Sequence, residues 1–168
     1  MSRRTFRASI AALLLFSFAW AAHAVAQTEL DRVVTRVGGR AITRSDIRLA
    51  RALRLVDDHG SDEACQRALE NRLLALAEVS RLMATVSVTD DAVARRRSDW
   101  QRGLGGAEPA QKLLGQFEMS EGDLSGWFRD DLRISAYLDR QFGSLQGDDR
   151  AKATADWFGR LRQRADLR

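Results

Sequence analysis

Two carboxylates, a histidine and a cysteine stand close together early in the chain, and these residue types can bind zinc. Asp57, Asp58 and His59 are adjacent, and Cys65 follows them. A Cys–His pair alone does not specify a zinc site, because a structural site needs four ligands. The histidine lies in a segment typical of a solvated turn, and Cys65 precedes Leu69 by one helical turn, which predicts a buried thiol. The sequence therefore predicts no metal site and no cofactor.

Other catalytic arrangements are also missing from the sequence. Beyond the first 26 residues His59 is the only histidine, so the serines have no other imidazole base, and none stands in a nucleophile elbow. The glycines of Gly103-Leu104-Gly105-Gly106 follow a helical pattern and lack the Lys-Ser/Thr ending of a phosphate-binding loop. The residue inventory predicts that the protein is not an enzyme. A minimal prolyl isomerase remains the enzymatic alternative.

Residues 1–26 have the pattern of a secretory signal peptide. Three arginines precede an almost uninterrupted apolar run from Ile10 to Ala22, and small residues then favour cleavage just before Gln27. The alternative is a retained anchor, but the run is shorter than the roughly 20 residues that span a bilayer. The sequence predicts export to the periplasm and no stable membrane insertion after cleavage.

Removing this leader changes how the charge is interpreted. The whole chain has 27 basic and 23 acidic residues, or +4, and the leader holds three arginines and no acid, which leaves 24 against 23, or +1. The run Arg95-Arg96-Arg97 is typical of a solvated helix face, and no aromatic platform or nucleic-acid motif accompanies it. The balance predicts no nucleic-acid partner. A mature chain 27–168 suits one domain with a real core.

Three segments share one helix-start signal, in which a hydroxyl cap precedes acidic residues. Thr43 with Asp46 and Ser120 with Asp123 each form a capping box with Asp in place of Glu or Gln, and Thr89 caps a third start. Each cap also follows an apolar residue that can pack on the first turn of the helix. The pairs are Ile42 with Ile47, Val88 with Val93, and Met119 with Leu124.

Further helices are predicted from apolar periodicity and punctuation. The segment 61–84 carries a stripe of Leu69, Leu73, Leu76 and Met83. Pro109 is placed to begin a short helix after the glycine-rich interruption at 103–106. A last helix is predicted over 149–165 with Trp157 and Leu161 on its buried side, and a loop over 143–149 precedes it.

Before the first helix, the stretch VVTRVGGRAI predicts a small β-hairpin. The first strand is predicted at Val33 to Val37, which is rich in β-branched residues, and the returning strand at Arg40 to Ile42. Gly38-Gly39 between them suits a tight turn with positive φ. A structureless leader is the alternative. Since a lone hairpin is marginal in water, we expect this one to pack on helices or pair with another strand.

Large apolar side chains are the remaining candidates for function. Trp100 stands among arginines and polar residues beside the glycine-rich bend, which predicts an exposed indole suited to protein contact. Trp127 and Phe128 are adjacent, roughly 100° apart on a helix, so one of them is expected at the edge of the core. Taken singly these residues favour a core role, and as a set they predict an apolar groove. The predicted groove residues are Trp100, Leu104, Phe117, Met119, Trp127 and Phe128.

Four segments in order resemble SurA-type periplasmic chaperones. ELDRVVTRVGGRAITRSDIRLARAL (29–53) resembles that family's hairpin and capped first helix, and ALENRLLALAEVSRLMATVSVTDDAV (68–93) its long helix with an Arg-Leu-Leu centre. MSEGDLSGWFRDDLRISAYLDRQF (119–142) resembles the helix that leads to the isomerase part. AKATADWFGRLRQRADLR (151–168) looks like the C-terminal helix that returns to complete the N-terminal core. The similarity covers nearly all of 29–168.

The resemblance implies a mostly α fold: a single helical domain with a small N-terminal β-hairpin and a C-terminal helix that packs back onto the N-terminal core. Family members usually insert parvulin-type prolyl isomerase domains between the last two helices, whereas here only about 143–149 joins them. The resemblance thus implies an ATP-independent chaperone domain without its catalytic insert. Its partners would be unfolded or partly folded exported proteins, such as outer-membrane precursors. A dedicated assembly factor for one exported partner is the alternative.

Overall fold

A computed structural model describes residues 31–57, 60–82 and 87–165. The chain divides into two units, 1–30 and 31–168, and all described residues belong to the second. In that part of the chain a two-stranded hairpin precedes six helices, which confirms the predicted fold class. The elements are β1 Val33–Val37, β2 Arg40–Thr43, α1 Arg44–Ala52, α2 Asp62–Leu82, α3 Asp90–Gly103, α4 Ala107–Gln116, α5 Glu121–Phe142 and α6 Gly147–Arg164. The predicted leader at 1–26, His59 and Met83 lie outside the described residues.

The hairpin forms where the sequence predicts it. Gly38 and Gly39 adopt φ of +54° and +83°, which L side chains rarely adopt, and these values close a two-residue turn. β1 and β2 pair antiparallel, with a bulge in β1 between Val33 and Thr35. The inner face of the hairpin contributes buried residues to the core, so the hairpin is stabilised by helices as expected for so small a sheet.

The three predicted caps are confirmed. The Thr43 hydroxyl accepts the Asp46 amide N–H, and the Asp46 carboxylate accepts the Thr43 amide N–H at 2.8 Å. Ser120 and Asp123 form the same reciprocal pair at the start of α5. The Thr89 hydroxyl caps α3. Each cap satisfies amide groups that the first helical turn leaves unpaired and contributes about 1 kcal/mol.

Two apolar clusters form the core. The first joins the hairpin, α1, α2, the C-terminal half of α5 and α6, and it contains Trp157 and Leu161, so α6 does pack back onto the N-terminal elements. The second joins the turn after α1 to α3, α4 and the N-terminal half of α5, around the fully buried Phe128. Trp127 packs against both clusters, so the long helix α5 ties the two halves of the core together.

Two element boundaries differ from the prediction. α4 begins at Ala107, two residues before Pro109, because a helix leaves its first amide groups without intrahelical partners and therefore tolerates proline there. α6 begins at Gly147 instead of Asp149, so the loop between α5 and α6 is shorter than predicted.

A cleft between the hairpin and helices as the candidate functional site

Two of the predicted groove residues belong to the core. Trp100 is 6% exposed, and its indole N–H donates to the carbonyl oxygen of Leu53 at 2.6 Å. It meets Phe128, which is 1% exposed, edge-on at a ring-centroid distance of 5.9 Å. The predicted exposure of Trp100 is wrong, because the polar residues around it in sequence occupy the other faces of α3 while the indole turns inward. Phe128 likewise has no surface to offer a partner.

The other four predicted residues are half-buried but do not form one groove. Met119 and Trp127 line the same cleft. Phe117 borders a separate and more open cavity of about 800 Å³, together with Arg48 and Arg51. Leu104 packs against the second core cluster. Trp127 does lie at the edge of the core while its neighbour Phe128 is inside, as their angular separation predicts.

The cleft that contains Met119 and Trp127 lies between β2, α1, α2 and α5. Its volume is about 420 Å³, and it is open to solvent. Helix α2 contributes positions i, i+3, i+4 and i+7, and α5 contributes i, i+1, i+4, i+5 and i+8, so each helix presents a single face, while Met119 lies just before α5. The lining residues are Arg40, Ala41, Ile42, Asp46, Leu49, Ala50, Leu69, Arg72, Leu73, Leu76, Met119, Gly122, Asp123, Gly126, Trp127 and Asp130.

At two positions the α5 side of the cleft has no side chains, because the residues there are glycines. Gly122 and Gly126 lie one turn apart in α5, and Gly126 is in the interior of the helix, where glycine costs about 1 kcal/mol relative to alanine. A Cβ atom at Gly126 would meet nothing within 4 Å, so the space over this residue is open. The missing side chains therefore widen the cleft at the expense of helix stability.

A buried arginine is one of the residues that line the cleft. Arg72 is 9% exposed, and its guanidinium carbon lies 3.9 Å from the centroid of the Trp127 ring. One terminal nitrogen donates to the carbonyl oxygen of Trp127 at 2.9 Å and lies 3.9 Å from Asp130. Nε lies 3.3 Å from a carboxylate oxygen of Asp131. The stacked cation holds the indole in one orientation at the cleft wall.

Burial is the largest influence on the pKa values of Arg72 and Asp131. It raises the pKa of Asp131 to about 6, even though Arg72 and then Arg96 act in the opposite direction. Burial also lowers the pKa of Arg72, against the attraction of Asp131 and Asp130. Both Arg72–carboxylate separations exceed the roughly 2.7–2.9 Å of a strong charge-assisted bond, so the attraction does not fully offset the loss of hydration.

Sequence reasoning did not assign Arg72, Asp131, Gly126 or Ala41 to the site. A signal for the first existed, since Arg72 interrupts the apolar stripe between Leu69 and Leu73, and a charge on an apolar helix face must find a partner. Two glycines one turn apart in a helix were a second signal. Neither pattern names the partner element, because β2 and α5 are distant from α2 in sequence.

The described part of the chain contains no group of three or more His, Cys, Asp or Glu side chains that could hold a metal ion. Cys65 is buried as predicted, with its sulfur 3.7 Å from the carbonyl oxygen of Ile47. Within 31–57, 60–82 and 87–165 no helix has both the length and the apolar character needed to cross a membrane.

The chain matches no protein-family model, no curated protein and no solved structure. The resemblance to SurA-type chaperones therefore stays a prediction made from sequence motifs.

Proposed function

We propose that the protein is an ATP-independent chaperone of the periplasm that holds unfolded or partly folded exported proteins in this cleft. The single observation that carries the proposal is an open cleft with an apolar floor, widened by helical glycines. Leu73 and Leu76 provide the aliphatic surface of this floor. Met119 adds a flexible side chain that can adjust to different clients, and Trp127 adds a flat aromatic ring. The predicted leader and the SurA-type motifs support the location and the class of partner.

The chemistry of the cleft suits weak and broad binding. Burying apolar area is worth about 25 cal/mol per Å², and it does not depend on which apolar side chain is buried. Arg72 donates to the Trp127 carbonyl and faces Asp130 and Asp131, whereas its Nε and the indole N–H of Trp127 are buried without a hydrogen-bond partner among the described residues. Burial of apolar client side chains, which does not discriminate between client sequences, is the main contribution to binding that this lining offers. A cleft of about 420 Å³ lies within the usual ~300–1,000 Å³ range of binding sites and can take a short segment of a longer chain.

The first test is aggregation of a urea-unfolded outer-membrane protein on dilution, followed by light scattering. We expect the purified protein to suppress scattering at near-stoichiometric ratios, without ATP. A folded, helical sample that leaves scattering unchanged would contradict the proposal.

A substitution at Gly126 tests the cleft itself. Gly126→Leu places a side chain in open space over the cleft, and we expect it to weaken client binding by about tenfold, which corresponds to about 1.4 kcal/mol. The same change should leave stability equal or raise it by up to about 1 kcal/mol, because leucine is a better helix former. Lost binding therefore cannot be attributed to unfolding.

Gly159→Leu is the matched control. Gly159 also lies inside a helix and is half-buried, and a Cβ atom added to it would meet open space, but this residue is outside the cleft lining. We expect this variant to bind clients as the unaltered protein does. Equal loss of binding in both variants, or no loss in Gly126→Leu, would show that clients bind elsewhere.

A further inference from the structure

The hairpin leaves backbone groups of β2 without hydrogen-bond partners. Its two-residue turn makes Val37 and Arg40 the first hydrogen-bonded pair, so the next pair, Arg36 opposite Ala41, exchanges no backbone bonds. The amide N–H and carbonyl of Ala41 therefore point away from β1, along the outer edge of β2. Among the described residues, no group bonds to either of them.

This edge of β2 faces the cleft. Consecutive residues of a strand point to opposite faces, so three of them in a row line one cavity only where the strand presents its edge. Arg40, Ala41 and Ile42 all line the cleft, whereas none of the described residues of β1 does. Ala41, whose N–H and carbonyl point along this edge, is an exposed residue of the cleft lining.

The outer edge of β1 is different. The bulge between Val33 and Thr35 bends that strand, and bulges are a common device against pairing with further chains. β2 keeps a regular register from Arg40 to Ile42. The edge suited to another strand is thus the one beside the apolar floor.

We infer that β2 accepts an extended segment of the bound polypeptide as a third strand within the cleft. This inference rests on the proposed function, because the occupant is the unfolded client. Ala41 donates its N–H to a client carbonyl and accepts a client N–H. Alternate side chains of the client lie on Leu73 and Leu76, on the same side as the buried Ile42.

Pairing of this kind accounts for broad selectivity by a physical route. Backbone groups are common to all polypeptides, so the hydrogen bonds do not discriminate between client sequences. The apolar floor favours only clients with apolar residues at every second position. A folded protein pairs most of its extended backbone internally and protects the edges of its sheets, so we expect it to bind much more weakly than an unfolded chain. A client residue without an N–H is disfavoured at the position opposite Ala41.

The most direct measurement follows backbone amide exchange. The probe is a soluble peptide of about eight residues in which valine and serine alternate, a length close to that of ordinary strands. We expect the peptide to slow hydrogen exchange at the Ala41 amide and to leave the Arg36 amide unchanged. Slowing at Arg36 and not at Ala41 would overturn the assignment of the edge.

A pair of proline variants tests the same bond by affinity. Ala41→Pro removes the outward N–H of β2, and Arg36→Pro removes the outward N–H directly opposite on β1, at positions where an edge strand tolerates proline. Loss of one backbone hydrogen bond should weaken peptide binding about fivefold in Ala41→Pro. Arg36→Pro should bind the peptide as the unaltered protein does. Circular dichroism checks that both variants remain folded.

N-methylation along the peptide tests the inference without changing the protein. Methyl groups at alternate positions should weaken binding, because only every second amide of a strand points to the neighbouring strand. Binding that shows neither this alternation nor an effect of Ala41→Pro overturns strand pairing and leaves the chaperone proposal standing. Failure of the unaltered protein to bind any unfolded chain overturns both.

Discussion

Replacing Arg72 by methionine removes a buried cation and leaves its partners in place. Methionine keeps the apolar stem of arginine but is two heavy atoms shorter, so it fills only part of the space over Trp127 and some packing is lost. The electrostatic loss is larger, because Asp131, whose side chain is 25% exposed, loses its nearest cation. Breaking a buried ion pair from one side costs about 3–5 kcal/mol. Partial exposure of Asp131 and of Asp130 places the expected cost near the lower end, about 3 kcal/mol at pH 8.

The sign of the pH dependence follows from Asp131. Its pKa is raised from 3.8 to about 6 in the folded protein, so between these values the folded state binds more protons than the unfolded chain. The free energy of unfolding therefore falls as pH rises from about 4 to about 6, by at most about 3 kcal/mol at 1.36 kcal/mol per pKa unit. Above that range Asp131 contributes no further change.

Without Arg72 the carboxylate of Asp131 is stabilised less, so its pKa rises further. Protonation then relieves the buried charge at a higher pH. We expect Arg72→Met to cost about 3 kcal/mol at about pH 8 and only about 1 kcal/mol at about pH 5, where the lost contact with the Trp127 ring remains.

Urea unfolding followed by circular dichroism at the two pH values measures both costs. The double variant Arg72→Met with Asp131→Asn is the control, since it removes both charges and should be nearly independent of pH over this range. An equal cost of Arg72→Met at both pH values would refute the electrostatic reasoning and point to lost packing. So would a double variant that is less stable than Arg72→Met at about pH 8.

Two further predictions concern the supports of the fold. Trp100→Phe keeps most of the buried ring but leaves the Leu53 carbonyl oxygen without the indole N–H, so the free energy of unfolding should fall by about 1–3 kcal/mol in urea titrations. A decrease in the free energy of unfolding of less than about 0.5 kcal/mol would mean that water replaces the indole N–H as the donor to this carbonyl. Ser120→Ala removes half of the α5 capping box and should cost about 1 kcal/mol by the same measurement, whereas Ser120→Asp, which can still cap, should cost little. Equal losses in the two Ser120 variants would contradict the capping account.

The helix starts and the hairpin follow from local physical chemistry. Thr43, Thr89 and Ser120 cap helices because a hydroxyl placed just before a helical run can bond an amide that the first turn leaves free, wherever the helix later packs. Gly38-Gly39 makes a two-residue turn because both positions require positive φ. These interactions span three or four residues, and for that reason the amino-acid sequence alone predicted them.

The face that each aromatic residue presents depended on packing. Local composition placed Trp100 in water, but the indole is buried because Leu53 and Phe128 complete a pocket for it. Those residues lie far from Trp100 in sequence, and nothing in the local pattern encodes their approach. Phe128 is buried for the same reason, so it cannot line the predicted groove.

The sequence by itself determined the order and type of the elements, the three caps, the turn and the burial of Cys65, Trp157 and Leu161. Only the tertiary structure decided that β2, α2 and α5 meet around an open cleft, and that Arg72 lies beside Asp131 and the Trp127 ring. It also decided that the strand edge at Ala41 borders this cleft. Local signals act over one turn of chain, whereas a site is assembled from residues whose separation in sequence exceeds the reach of any such signal.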